Sequence, residues 1–84
     1  MKPLRFTTHA MTAFSERELD LAWVERIARE PDWTAPDPTD PSLERRYGVI
    51  RENGNRVLRV VCRDLRDEVM VVTLFFDRKA RRPL

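Results

Sequence analysis

An Asn-Gly pair set between two runs of β-branched and aromatic residues leaves a chain few options other than a hairpin, and Asn53-Gly54 occupies that position. Before it stands Tyr47-Gly48-Val49-Ile50-Arg51, and after it Arg56-Val57-Leu58-Arg59-Val60-Val61-Cys62-Arg63. The polar stretch Asp64–Glu68 then turns the chain into Val69-Met70-Val71-Val72-Thr73-Leu74-Phe75-Phe76, whose residue types favour a pleated surface. Three runs joined by two short reversals predict a three-stranded antiparallel meander.

A chain of 84 residues forms one domain of two packed layers, since at this size only about 60% of the unfolded surface can be buried. A composition of 42% hydrophobic and 36% charged residues excludes both a disordered polymer and a membrane span. The first residues lack the apolar core of a signal peptide, so the expected location is the cytoplasm. Cys62 is the sole cysteine, which excludes an internal disulfide and a zinc site of the usual kind; core packing accounts for it. The net charge of +2 conceals an asymmetry. Residues 1–42 carry five Lys/Arg against eight Asp/Glu, a balance of −3, whereas residues 43–84 carry eleven against six, a balance of +5. The basic half suits a polyanion or an acidic partner.

Ahead of the meander, Leu4-Arg5-Phe6-Thr7 alternates well enough for a short edge strand, and Thr7 or Thr8 can cap a helix over His9–Phe14. Ser15-Glu16-Arg17-Glu18 has the form of a capping box and predicts a second helix running to about Glu30, where Pro31 stops it. On that helix Leu19, Leu21, Trp23, Val24, Ile27 and Ala28 form one apolar arc, with Trp23 the largest anchor. Residues 31–43 hold four of the six prolines and three aspartates, and read as an extended strap that neither helix nor sheet crosses. The resulting division is a helical part (1–30), a Pro/Asp-rich connection (31–43), a meander (44–76) and a basic tail (77–84).

Alternation places Leu58, Val60 and Cys62 on the helix-covered face of the middle run and Val57, Arg59, Val61 and Arg63 on the other. In the last run it groups Met70, Val72, Leu74 and Phe76 against Val69, Val71, Thr73 and Phe75. Arginines among aromatic and β-branched residues can hold phosphates and stack bases; they can equally pair with neighbouring carboxylates. The only histidine, His9, has no second histidine, serine triad or ligand cluster to assist it.

Phe6-Thr7-Thr8-His9-Ala10, with Arg17 eight positions after His9, Leu19 two further and Val24 in the second helix, resembles the family named domain of unknown function 4258. The similarity extends through Val57–Val61 and Val71–Phe75. That family is similar in layout to the RelE and ParE toxins and the wider barnase-like ribonuclease group. The resemblance implies a RelE-like α+β fold, with two N-terminal helices on one face of a three- to four-stranded antiparallel meander and RNA on the other. It further implies a metal-independent, cofactor-free endoribonuclease toxin held inactive by an acidic antitoxin-like protein. In that reading His9 is the acid or base with Arg17 in the catalytic site, Arg59, Arg63, Arg78 and Lys79 contact phosphates, and Tyr47 or Phe75 stacks a base. One position departs from the pattern: the family commonly carries arginine four residues after the histidine, and Ala13 stands there. The alternative expectation is a non-catalytic module, without membrane contact, whose open sheet face binds another protein or a second copy as a homodimer.

Overall fold

The computed structural model describes residues 1–83; Leu84, the last residue of the basic tail, lies outside them. The chain runs β1 (Leu4–Phe6), α1 (Thr8–Glu16), α2 (Leu21–Arg29), β2 (Trp33–Pro36), β3 (Glu44–Ile50), β4 (Arg56–Asp64) and β5 (Val69–Phe76). The strand order is β1-β5-β4-β3-β2. The α+β class and the meander of β3, β4 and β5 are as expected, but the sheet has five strands and is mixed, because β1 runs parallel to β5.

Three expectations are corrected at the helices and the strap. Thr7 caps α1, its Oγ1 accepting from the Ala10 N–H at 3.1 Å, and α1 continues through Ser15 to Glu16. Ser15 therefore opens no capping box. Asp20 caps α2 instead, accepting from the Ala22 N–H at 2.8 Å, and Glu18 between the helices has a φ of 50°. Leu21, expected in the buried arc, is 52% exposed as the first residue of α2. The strap does contain a strand: Trp33–Pro36 pairs with Glu44–Tyr47. Its proline is tolerated because β2 is an edge strand, where the missing N–H can face outward.

The hairpin turn is displaced by one residue from the Asn-Gly pair. Arg51–Asn53 forms a 3-10 turn, and Gly54 and Asn55 supply the positive φ values, 67° and 59°. Both residue types tolerate that region.

Both helices pack on one face of the sheet, and Val24, Ile27, Ala28, Ile50, Leu58, Val60, Cys62, Val71 and Leu74 share one core cluster. Leu58, Val60 and Cys62 face the helices as expected. In β5 the alternation fails at Val72. Val61 pairs with Thr73 and Cys62 with Val71, so Val72 is an extra residue and the phase changes there. Consequently Val69 and Val71 join Leu74 in the core, and Met70 falls on the opposite face. The cause is β1 with α1, which carry the helical layer over the start of β5 and require its apolar side chains beneath them. Thr7 fixes the bulge: its N–H donates to the Val71 carbonyl at 3.0 Å and its hydroxyl to the Val72 carbonyl at 3.1 Å.

Arg46 closes one end of the core. Its guanidinium donates to the Ala28 carbonyl in the last turn of α2, satisfying one of the acceptors a helix end leaves open, and to Glu44 at 2.8 Å. Asp64 lies 3.6 Å from Arg46 and also accepts from Lys2, whose hydrogen bond holds the Asp64 carboxyl below its ordinary range. Burial pushes the Cys62 thiol up to about 11, with Arg46 only partly opposing it. The thiolate is the reactive form, so Cys62 should resist a disulfide-exchange reagent at about pH 8 in the native protein and react fully in denaturant. Rapid native labelling would contradict this burial.

Candidate functional site

The sheet face away from the helices carries one row of side chains across four strands. Trp33 pairs with Tyr47, Tyr47 with Arg59, and Arg59 with Phe75. Directly paired residues project to the same side, so the register alone aligns the row. Trp33 and Tyr47 stack at 5.1 Å with planes 7° apart. The Arg59 guanidinium lies 4.3 Å from the Phe75 ring centroid and 5.9 Å from that of Tyr47. Beside this row, Ala35, Arg45, Val61 and Thr73 form a second, and Arg63, Met70 and Arg5 a third.

Each of the three central guanidiniums has a carboxylate partner. Arg59 pairs with Asp77 at 3.2 Å, Arg45 with Asp37 at 3.1 Å and Arg63 with Asp40 at 3.7 Å. The two strap aspartates also fold their own loop. Asp37 accepts from the Thr39 hydroxyl at 2.8 Å and from the Thr39 and Asp40 N–H groups, while Asp40 accepts from the Ser42 hydroxyl and N–H. These bonds, the Thr39 and Ser42 hydroxyls foremost, hold both carboxyls below their ordinary value of 3.8. The Pro/Asp segment is thus tied to the sheet face at two points.

A different set of arginines has no ion pair among the described residues. Arg26, Arg51 and Arg82 line a polar cavity of about 590 Å³ together with Asp32, Val49, Glu52 and Asn55. Arg26 is held there by donating to the Val49 carbonyl at 2.9 Å. Asp32 is occupied as an acceptor for the Val49 N–H at 2.8 Å, and its own N–H donates to the Tyr47 carbonyl. It immediately precedes Trp33, so the cavity wall begins one residue from the stacked row.

The residues singled out in the sequence do not converge. His9 is exposed in the first turn of α1, and no hydrogen bond or ion pair among the described residues joins it to Arg17 or to the sheet arginines. Arg17 is the exposed C-cap of the same helix, roughly 12 Å further along its axis. Tyr47, Arg59 and Phe75 do meet, in the row; Arg63 lies in a parallel row. Arg78 and Lys79 are exposed in the turn after β5, where the Lys79 N–H donates to Asp77.

Trp33 and the Arg26–Arg51–Arg82 group were missed. For Trp33 the available signal was an aromatic residue in a short extended stretch; for the arginines there was none, because they come from a helix, a turn and the tail.

The domain-of-unknown-function family DUF4258 matches residues 6–76, from β1 to the end of β5. The chain belongs to that family. No curated protein and no solved structure gives a match. Within this DUF4258 chain the Phe6–Ala10 motif has a structural explanation: Phe6 packs edge-on against Phe14 at 6.0 Å, Thr7 caps α1 and holds the bulge, and Ala10 is fully buried. Thr8 and His9 are both exposed, and neither side chain makes a hydrogen bond or ion pair among the described residues.

Among the described residues no helix is long and apolar enough to cross a membrane.

Proposed function

We propose that this protein binds single-stranded RNA on the open sheet face without cleaving it, the first base stacking on Trp33. The observation that carries the reading is the Trp33–Tyr47–Arg59–Phe75 row. Tyr47 stacks on one face of the indole, and no strand lies beyond β2 among the described residues, so a base can extend the stack on the other side. The adjoining phosphates then reach around the β2 edge toward Arg26, Arg51 and Arg82, which have no carboxylate partner to displace among the described residues. Binding is favoured over turnover because His9 stands apart from every cationic group it would need to act with.

The test is a titration with oligo(U) and oligo(A) of about ten nucleotides, followed by indole fluorescence. Stacking should quench Trp33, and Trp33→Leu should weaken binding by roughly 5- to 150-fold, the range for losing one stacked base. Three phosphate contacts predict a log–log salt slope of about −2, which Arg51→Glu should reduce in magnitude by about 0.7. The RNA should be recovered intact. Absence of quenching and retention would overturn the binding reading, and cleavage abolished by His9→Ala would restore the ribonuclease toxin in its place.

A further inference from the structure

The outer edge of β1 has an unmet hydrogen-bonding requirement. The Val69 N–H donates to the Pro3 carbonyl and the Thr7 N–H to the Val71 carbonyl, so the odd-numbered residues of this parallel pair point their backbone groups toward β5. Leu4 and Phe6 therefore point theirs away from the sheet. Lys2 is on the same outward side, and there the structure supplies a partner: Arg29 donates to the Lys2 carbonyl at 2.7 Å. Among the described residues no side chain does the same for Leu4 or Phe6.

Beside this edge lies an apolar groove of about 680 Å³, lined by Leu4, Phe6, Met11, Phe14 and Leu21 with Arg5 and Ser15. Met11 is 60% exposed and Leu21 52%, and they are two of the four large apolar side chains that the described residues leave exposed. A strand edge blunted against association would carry charge on both sides. Here the helix side of the edge is apolar, and charge is confined to the opposite side.

That side carries Arg5, which fixes the chemistry of the occupant. Its Nε pairs with Glu68 at 3.1 Å, but the side chain is 63% exposed and the terminal nitrogens of its guanidinium have no hydrogen bond or ion pair with any other residue among the described residues. They remain available to a second carboxylate. We propose that the β1 edge binds an extended peptide segment of a partner protein with the pattern apolar–acidic–apolar, which adds as a sixth strand. Its two apolar residues lie opposite Leu4 and Phe6 and enter the groove, and its acidic residue lies opposite Arg5. A second copy of this chain is a poorer occupant, because antiparallel self-pairing of β1 about its centre sets Arg5 against Arg5, and like charges directly opposite are destabilising. This surface is separate from the stacked row, and the inference does not depend on RNA binding.

The experiment uses the intact protein and a fluorescein-labelled heptapeptide with a central Leu-Glu-Leu, compared with Leu-Lys-Leu. Binding should be saturable below about 1 mM, a range open to a short strand added to an edge. Amide exchange at Leu4 and Phe6 should slow on binding, and the Leu-Glu-Leu peptide should be preferred several-fold. Arg5→Glu should reverse the preference, and Met11→Asp, at an exposed site that folding does not depend on, should weaken both peptides about tenfold. Failure of the Leu-Glu-Leu peptide to bind, an unaltered preference in Arg5→Glu, or protection of Leu4 and Phe6 that follows protein concentration through a dimer would overturn the proposal.

Discussion

Replacing Gly48 with alanine is expected to lower the stability of the protein by about 1–3 kcal/mol, although the same change in an ordinary strand would raise it by roughly 0.5–1 kcal/mol. Gly48 faces the helices from β3, opposite Leu58. A Cβ there would lie 2.5 Å from Ile27 Cγ1 and 2.7 Å from Cδ1. Ile27 is fully buried, so it cannot swing into solvent. The overpacking cost exceeds the gain in strand preference, and the sign follows from that comparison. Thermal denaturation should show a fall of about 5–15 °C for a domain of this size. Ile27→Ala removes the clashing atoms at the cost of a cavity, so the double variant should be more stable than the sum of the single effects by at least about 0.5 kcal/mol. A melting temperature at or above the unmodified value for Gly48→Ala would show that α2 does not sit this close to the sheet.

Arg59→Leu is expected to cost about 2–3 kcal/mol, rather less than the 3–5 kcal/mol typical of a fully buried pair. The Arg59 and Asp77 side chains are 14% and 16% exposed, so removing the cation leaves a largely enclosed carboxylate unpaired. Arg59 Nε is itself buried without a hydrogen-bond partner, so the guanidinium is incompletely satisfied even in the native protein. Arg59→Leu with Asp77→Asn should therefore recover most of the loss, because both charges go together and leucine still packs between Tyr47 and Phe75. Urea denaturation of the three variants measures this directly. A double variant no better than the single would assign the cost to lost packing. Arg59 is consequently a poor probe of RNA binding: a glutamate there would sit against Asp77 and disturb the face that Trp33 and Arg51 test cleanly.

The stacked row shows how far the sequence could be followed. Arg59 was legible on the open face by strand alternation, and Tyr47 and Phe75 were named beside it through the family resemblance. Trp33 was not. Its partner strand is fourteen positions away, and proline density in residues 31–43 argued against any strand there, whereas an edge strand tolerates the residue. The same limit appears at Val72. Alternation is a local rule, and the bulge that breaks it answers to β1 and Thr7, more than sixty residues earlier. The start of α2 shows a milder failure: Ser15 satisfies the local capping rule, but packing carries α1 through it and buries Leu19 in the connection, which leaves Asp20 to cap α2.

Periodicity and turn chemistry were enough to establish the α+β class, the three antiparallel strands, the helix-facing Leu58, Val60 and Cys62, and a threonine cap at Thr7 or Thr8, since each depends on neighbours a few residues apart. The parallel pairing of β1, the ion pairs that occupy Arg45, Arg59 and Arg63, the cavity of Arg26, Arg51 and Arg82, and the separation of His9 from all of them came from the folded arrangement. Each joins segments distant in the chain, and the geometry between such segments is set by packing, on which local residue preference has no purchase.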